Sequence, residues 1–311
     1  YTKFVHIPDQ YIGWYFSAVK KSNNIIDAGF IPDIIFSSAT PYTSHLVAKK
    51  VSNKYNIPWI AEFRDLWSDN HNRMSSLFDR WLEKNTMHNS KAMITVSEPL
   101  TKILINKYKQ PIYTIRNGFD AEDFNFEVIS KNLQKINIVY TGSIYVGKMD
   151  PSPLFIALAS NKDLQNNVVL NFYGNSSNFI SDLSKKYNLE SIVKIHDLVP
   201  RSEILNIQKK ADILLLLTWN DPKQKGILTG KFFEYIASGN AILSIGAFKD
   251  IPSEIVVEDK FGIATNDPEE ITKFISSYHK GKYNNNLINR NKYDRQIQIN
   301  KLAEIIDKHA N

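Results

Sequence analysis

The most constraining feature of this sequence is an almost wholly apolar run at residues 212–218, followed by a glycine turn and a helical segment. The run is too short to span a membrane, and its unbroken apolar character is typical of a strand buried on both faces. A polar loop, the tripeptide Thr229-Gly230-Lys231 and an apolar-faced helix ending at Gly239 come next, before a second strand at 241–245. This order predicts a βαβ unit.

A strand, a Gly/Thr turn and a helix start are the parts of an anion site, because unpaired backbone N–H groups and the helix dipole converge there. Lys231 adds a point charge suited to a phosphate. Glu234 lies one turn into the helix, where its carboxylate could accept from a ribose diol. The residues alone leave a second interpretation open, in which Lys231 is solvated and Glu234 makes a local cap.

Short apolar runs alternate with helical segments along the whole chain, which favours parallel sheets covered on both faces. The predicted strands are residues 32–38, 58–63, 91–96, 111–115, 136–142, 168–173, 193–196, 212–218, 241–245 and 262–264. The pattern is lost at residues 120–135, where charges and amides dominate. We therefore expect an α/β chain with two Rossmann-like doubly wound domains.

The predicted domain boundaries follow from that break. We expect an N-terminal domain at 1–120, a linker at 121–135, a C-terminal domain at 136–283, and a C-terminal helix at 284–311 that could pack back on the first domain. The sequence begins at Tyr1 without a methionine, and we expect the first domain to lack its opening strands. Ligands of such sheets bind at the carboxyl ends of the strands, in a cleft.

Composition narrows the function classes. The chain is 43% hydrophobic and 23% charged, as in soluble globular proteins. It has no cysteine, which excludes disulfides, thiolate metal sites and cysteine nucleophiles and fits a reducing compartment. We expect a cytoplasmic protein, because no run has the length of a membrane helix and no secretory signal is visible.

The formal net charge is +6, and lysine pairs recur along the chain. We interpret most pairs as solvated helix faces, with a basic surface on anionic lipid at the inner face of the membrane as the alternative. Nucleic acid is not an expected partner, because no recognised binding motif accompanies the charge. The pairs are Lys20-Lys21, Lys49-Lys50, Lys185-Lys186 and Lys209-Lys210.

Glycine and polar residues follow the predicted strands. Gly142 and Ser143 follow the first strand of the second domain, where a glycine lets a phosphate approach the backbone and Lys148 could neutralise it. In the first domain, Arg64 and Asp65 follow a predicted strand, and Arg64 could hold a phosphate. A structural ion pair between these two is the alternative.

Three other features are interpreted structurally. His196 at a strand end is more often structural than catalytic, and His45 is assigned to the core or the solvent. Gly118 is predicted to occupy a tight turn that requires a positive φ. Thr40 could cap the helix that follows the first strand.

The segment from Lys231 to Leu243 resembles the donor-binding signature of retaining GT-B glycosyltransferases of family four (group 1). The Phe-Arg-Asp-Leu-Trp stretch at 63–67 is similar to the bacterial surface-polysaccharide branch. This similarity implies that Arg64 holds a phosphate or the acceptor and that Asp65 contacts a sugar hydroxyl. The resemblance implies a GT-B fold with two domains facing across a cleft. It also implies metal-independent sugar transfer, with retention, from a nucleoside diphosphate sugar to a glycan or polyprenyl-linked acceptor. UDP is favoured over GDP, and no cofactor is expected.

The same resemblance assigns roles to residues. Glu234 would bind the nucleotide ribose. The diphosphate would be faced by Thr229, Gly230 and Lys231, together with Gly142 and Lys148. The nucleobase would be contacted by Leu198 and Val199. The chain departs from the family pattern at Ser143, where an arginine is expected, and at Gly226, where a glutamate is expected. Two alternatives stay open. One is a UDP-sugar 2-epimerase, which shares the two-domain fold, and the other is a non-catalytic protein that binds a nucleotide or a partner, which the two departures favour.

Overall fold

The computed structural model describes residues 7–70, 74–124, 135–175, 177–220, 228–247, 250–283 and 288–310. The chain divides into two compact units. Unit 1 contains Tyr1–Arg116 together with Ile297–Asn311, and unit 2 contains Asn117–Gln296. No helix in the described part of the chain is long and apolar enough to cross a membrane.

Unit 1 is built on a four-stranded parallel sheet with the strand order β1-β2-β3-β4. The two central strands are almost fully buried, because helices cover both faces of the sheet. The strands are β1 (Ile35–Ala39), β2 (Trp59–Phe63), β3 (Ala92–Thr95) and β4 (Ile112–Thr114). The helices are α1 (Trp14–Asp27), α2 (Thr43–Tyr55), α3 (Leu77–Met87), α4 (Glu98–Lys107) and, from residue 297, the last helix α12 (Arg295–His309).

Helix α2 begins at Thr43, so the predicted cap at Thr40 is wrong. The carboxylate of Asp9 accepts hydrogen bonds from the backbone N–H and the hydroxyl of Thr43, at 2.9 and 2.8 Å. Asp9, an acid distant in sequence, thus supplies the hydrogen-bond acceptor that a local N-cap residue usually supplies. His45 in the same helix is buried in the core, where its Nδ1 pairs with the Ser37 hydroxyl at 2.8 Å and burial lowers its pKa to about 3.

Unit 2 is built on a six-stranded parallel sheet with the order β10-β9-β8-β5-β6-β7. The chain runs outward from β5 to β7, returns to β8 on the other side of β5, and then continues outward to β10. This reversal places a topological switch point between β5 and β8, where open α/β sheets bind ligands. The strands are β5 (Ile136–Thr141), β6 (Val168–Tyr173), β7 (Val193–His196), β8 (Ile213–Leu217), β9 (Ala241–Ile245) and β10 (Gly262–Ala264).

Helices cover both faces of this sheet, and every residue of β8 and β9 is buried between two apolar clusters. The first residue of α11 follows Asp267, whose side chain accepts from the Glu269 N–H. The helices are α5 (Ser152–Ala159), α6 (Lys162–Asn167), α7 (Ser177–Lys186), α8 (Arg201–Lys210), α9 (Gly230–Ser238), α10 (Ile251–Glu258) and α11 (Pro268–His279).

Each of the ten predicted strands is present, and the α/β class is confirmed. The units divide the chain differently from the predicted boundaries, because residues 117–120 belong to unit 2 and residues 297–311 to unit 1. In the predicted linker, Ala121–Asp123 forms a 3-10 helix, and residues 125–134 lie outside the described residues. In α12, Ile305 packs against Ile60 and Ile94 of the unit 1 sheet.

The turn at Gly118 lies against the segment that precedes α12. The Phe119 N–H donates to the Tyr293 carbonyl at 3.1 Å, and the Arg295 N–H donates to the Phe119 carbonyl at 2.9 Å. A Cβ on Gly118 would lie 2.5 Å from the Tyr293 carbonyl oxygen. Gly118 is not among the glycines with a positive φ, so the predicted reason for this glycine is wrong and close backbone approach is the actual one.

Candidate functional site

Lys231 reaches across the switch point of unit 2. It lies in the first turn of α9, which follows β8, and its Nζ lies over the Tyr140 ring of β5, 4.2 Å from the centroid. The same Nζ is 3.5 Å from the position that a Cβ on Gly142 would occupy. Gly142 has a φ of +109°, in the region that favours glycine. At the turn after β5, the Lys231 ammonium therefore lies close to the backbone of Gly142, which no side chain covers.

Lys231 is a cation for which the described residues provide no ion-pair partner. Its side chain is partly buried, and within the described residues no carboxylate lies within salt-bridge distance of its Nζ. Burial lowers the pKa of Lys231 to about 8, although the nearby charge of Glu234 opposes that shift. Lys231 is therefore mainly protonated at neutral pH, and the solvated alternative does not describe it. A desolvated ammonium of this kind favours an anionic ligand.

Glu234 does not cap its own helix but faces α8. One carboxylate oxygen lies 3.5 Å from the Nε of Arg201, and the other accepts from Gln208 Nε2 at 3.3 Å. Arg201 also donates to Asp123 at 2.8 Å, and these carboxylates raise its pKa. The acid predicted to meet a ribose is thus positioned by two residues of α8.

Sequence reasoning missed Gln208. Its side chain is buried, and its Nε2 donates to the Thr141 hydroxyl at 3.1 Å as well as to Glu234. The Tyr235 hydroxyl accepts from the Thr141 N–H at 3.0 Å. These bonds join α8 and α9 to the end of β5. Within the described residues the Gln208 Oε1 has no hydrogen-bond partner, and nothing in the sequence pattern distinguishes this glutamine from a surface residue.

Among the described residues, none covers or caps the N-terminus of α9. Thr229 and Gly230 are exposed, Thr229 is extended, and its hydroxyl makes no capping bond to the helix. A Cβ on Gly230 would meet no described residue within 4 Å. In this part of the structure, the first N–H groups of α9 thus have no side-chain cap beside Lys231, as in helix starts that bind phosphates.

Lys148 reaches the same edge of the sheet. Its Nζ lies 3.9 Å from the centroid of the Trp219 ring, and Trp219 lines a small pocket together with Thr229 and Lys231. No pattern in the sequence indicates this cation–π contact. Ser143 is exposed, and its carbonyl oxygen accepts from the Tyr140 hydroxyl at 2.9 Å. The structure therefore collects Gly142, Lys148, Thr229, Lys231 and Glu234 into one group, named here the switch-point site.

The predicted nucleobase residues lie on the loop between β7 and α8. Leu198 is exposed and Val199 is partly buried, and the same loop leads into Arg201, which contacts Glu234. His196 bonds through Nε2 to the Asn171 side chain at 2.8 Å and stacks on Tyr173 with 4.2 Å between ring centroids. These contacts give His196 a structural role, in agreement with the sequence interpretation.

Arg64 and Asp65 belong to unit 1, where both are exposed after β2. Within the described residues no salt bridge joins them, so the ion-pair alternative does not hold. The chain just beyond them is fixed by buried Glu83, which accepts from the Ser68 N–H at 3.0 Å and from Lys107 at 2.8 Å.

Gly226, where the family pattern has a glutamate, lies outside the described residues. In the described part of the chain, no group of three or more His, Asp or Glu side chains is arranged to hold a metal ion.

The comparisons with known proteins bear on both units. Residues 2–123 match the family model described as Glycosyltransferase Family 4. A search of curated proteins found no match. The solved structure of Anabaena Alr3699/HepE in complex with UDP shares 15% identity at a TM-score of 0.67, and the match covers 94% of this chain and 82% of that one.

Two other solved structures show the same architecture. The lipopolysaccharide outer core galactosyltransferase WaaB shares 13% identity at a TM-score of 0.64, with 94% of this chain and 80% of that one covered. A putative UDP-N-acetylglucosamine 2-epimerase from Listeria monocytogenes shares 13% identity at a TM-score of 0.59, with 95% and 79% covered. The fold is that of the GT-B glycosyltransferases. The fold class predicted from the sequence is therefore confirmed, and at these identities the likeness concerns the fold alone.

Proposed function

We propose that the chain is a glycosyltransferase that moves a sugar from a nucleoside diphosphate sugar, with UDP favoured over GDP, to a glycan or polyprenyl-linked acceptor. The observation that carries the proposal is the meeting of Lys231 with the Gly142 turn at the switch point, beside Glu234 and the open start of α9. The family model matched by residues 2–123 and the UDP named for the HepE structure support the same assignment.

The proposed chemistry needs positive charge where the diphosphate departs. The bond between the anomeric carbon and the diphosphate oxygen breaks, a new bond forms to the acceptor hydroxyl oxygen, and the departing phosphate accepts the hydroxyl proton. Lys231, Lys148 and the first N–H groups of α9 would stabilise the leaving charge, a task that fixed donors perform well in a site with little water. Retention of configuration and independence from metal are parts of this proposal.

Two roles complete the proposed donor site. The carboxylate of Glu234, held by Gln208 and Arg201, would accept from the ribose hydroxyls, and Leu198 and Val199 would border the base. Arg64 and Asp65 of unit 1 are proposed to contact the transferred sugar or the acceptor. Contact with the inner face of a cytoplasmic membrane would bring the chain to a lipid-linked acceptor.

A thermal-shift panel tests the donor site. UDP, GDP, ADP and CMP are added without metal to the whole chain and to its Glu234→Ala variant. We expect UDP to raise the melting temperature of the wild type, because a ligand bound only by the folded state stabilises it, and to raise that of the variant less. No shift with any nucleotide would count against the proposal.

One rival is favoured by a specific observation. The likeness to a putative UDP-N-acetylglucosamine 2-epimerase supports an epimerase as the alternative function. Incubation with UDP-sugars alone, followed by proton NMR, separates the two. An epimerase forms a second UDP-sugar without any acceptor, whereas the proposed transferase needs an acceptor and continues in the presence of EDTA.

A further inference from the structure

Three helices of unit 1 form one surface. Helix α2 packs against both α1 and α3, and a groove of about 480 Å³ lies between them, with Phe16 of α1, Lys50 of α2 and Leu82 of α3 in its lining. We call the solvent-facing side of these helices the α1–α3 face. Its composition differs from that of an ordinary solvated surface in two respects.

The first difference is the number of large apolar side chains in the open. On α3, Leu77, Phe78 and Trp81 are 83%, 51% and 58% exposed, and the rings of Phe78 and Trp81 stack with 5.6 Å between their centroids. On α1, Phe16 is 77% exposed. Single exposed apolar residues are normal, but a group of this size marks an interaction surface.

The second difference is the sign of the exposed charge on α3. Both acids of this helix are buried, Asp79 in the capping box with Ser76 and Glu83 against Lys107. The charged side chains that α3 leaves exposed are Arg80 and Lys84. The helix thus presents aromatic rings and cations together, and no exposed carboxylate.

Helices α1 and α2 continue the pattern. The acid on α1 is Asp27, which is ion-paired with Lys54 at 3.7 Å, and the sequence of α2 contains no acid. The cations of these two helices are Lys20, Lys21, Lys49, Lys50 and Lys54. The exposed charges of the α1–α3 face are therefore almost all positive, and almost nothing on this face repels a negatively charged partner.

We propose that the α1–α3 face docks on an anionic lipid bilayer. Phe16, Phe78 and Trp81 would enter the headgroup region, and Arg80 and Lys84 would contact lipid phosphates. Amphipathic surfaces bind membranes through this pairing of apolar area with cations. A second copy of the chain is a poor occupant, because a symmetric contact would place cations against cations.

The proposal gives a surface to the membrane contact of the proposed function, but its argument uses nothing from the donor site. It is tested by co-sedimentation of the whole chain with vesicles of phosphatidylcholine alone and of phosphatidylcholine with phosphatidylglycerol. The variants are Phe78→Ser with Trp81→Ser, and Arg80→Gln with Lys84→Gln. The controls lie on unit 2: Val257→Ser, which is exposed, and Lys185→Gln with Lys186→Gln.

We expect the wild type and both controls to bind the anionic vesicles and not to bind the neutral ones. Each α3 double variant should bind about tenfold less tightly or worse, while its circular dichroism melt shows a folded protein. UDP binding is measured on the same samples, so that a failure of the donor site can be distinguished from a failure of this surface.

Three outcomes would overturn the proposal. The wild type could fail to bind anionic vesicles, both α3 double variants could bind as well as the wild type, or binding could be equal on neutral vesicles. A dimer in solution that both α3 variants dissociate would assign the face to a second copy and would overturn it as well.

Discussion

The Nζ of Lys231 lies 3.5 Å from the position that a Cβ on Gly142 would occupy, although the two residues follow different strands of the sheet. Gly142 follows β5 and Lys231 follows β8, the strands on either side of the switch point. The reversal of the chain therefore brings a desolvated cation against a turn whose backbone carries no side chain.

Replacing Lys231 with methionine should weaken UDP binding about tenfold to a hundredfold, because a charge-assisted contact to the diphosphate is lost. Calorimetric titration measures the change. Lys186→Met is the matched control, since Lys186 also lies over a tyrosine ring, 5.1 Å from the centroid of Tyr187, but is itself exposed on α7. Equal loss in both variants would mean that Lys231 has no special part in binding.

The lowered pKa of Lys231, about 8, predicts a pH dependence. UDP affinity should fall as the pH rises through 8, because the ammonium that attracts the diphosphate is lost. Stability should move the other way: the unfolded state holds this proton up to its ordinary value of 10.5, so the free energy of unfolding rises between about pH 8 and 10.5. Differences between the wild type and Lys231→Met, from urea titrations at several pH values, isolate this contribution.

Glu234→Gln should reduce the preference for ribose. The wild type is expected to bind UDP more tightly than 2′-deoxy-UDP, and the variant should bind the two more equally. Stability should change by less than about 1 kcal/mol, because Arg201 is largely exposed and such pairs contribute little. Exposed Glu203→Gln on α8 is the control, and an unchanged UDP preference in Glu234→Gln would remove the assignment to the ribose.

Gly174→Ala should disrupt the edge of the switch-point site. A Cβ there would lie 2.2 Å from the Gly142 carbonyl oxygen, and the φ of Gly174 is +149°. We expect a loss of about 2–4 kcal/mol in the free energy of unfolding, as for other steric and backbone conflicts. Gly147→Ala separates the two causes, because Gly147 has a φ of +81° but open space around it, so its cost should be about 1 kcal/mol.

Glu83→Ala should destabilise unit 1 by about 3 kcal/mol, because Lys107 and the Ser68 N–H lose a buried partner. The more exposed pair between Glu98 and Arg116, at 2.8 Å, provides the comparison. Glu98→Ala should cost less than about 1 kcal/mol. Chemical denaturation of the two variants measures both values, and similar losses would contradict the role given to Glu83.

The strands could be predicted from the sequence because they are buried on both faces, so their apolar runs carry the signal without help from distant residues. Lys231 and Gly142 could be predicted for a related reason, since the carboxyl ends of parallel strands lie at one edge. Contacts between helices could not. The bonds of Arg201 and Gln208 with Glu234 depend on how α8 packs beside α9, and a single sequence carries no mark of that packing.

The two wrong predictions share a cause. The predictions for Thr40 and Gly118 use only their nearest neighbours in sequence, but in each case a distant segment decides the conformation. Asp9 supplies the acceptor at the start of α2, and the Tyr293 carbonyl excludes a side chain at Gly118. Local rules for caps and turns describe the backbone alone and cannot anticipate a partner from elsewhere in the chain.

The pairing of Phe119 with the segment before α12 determines where the protein can be divided into fragments. Unit 2 begins at Asn117 and ends at Gln296, and the backbone bonds beside Gly118 hold those two ends together. Topologically, unit 2 is an insertion into unit 1 whose entry and exit are neighbours, the arrangement in which inserted domains are tolerated. Residues 117–296 could therefore be excised and expressed as one piece, with unit 1 rejoined by a short peptide.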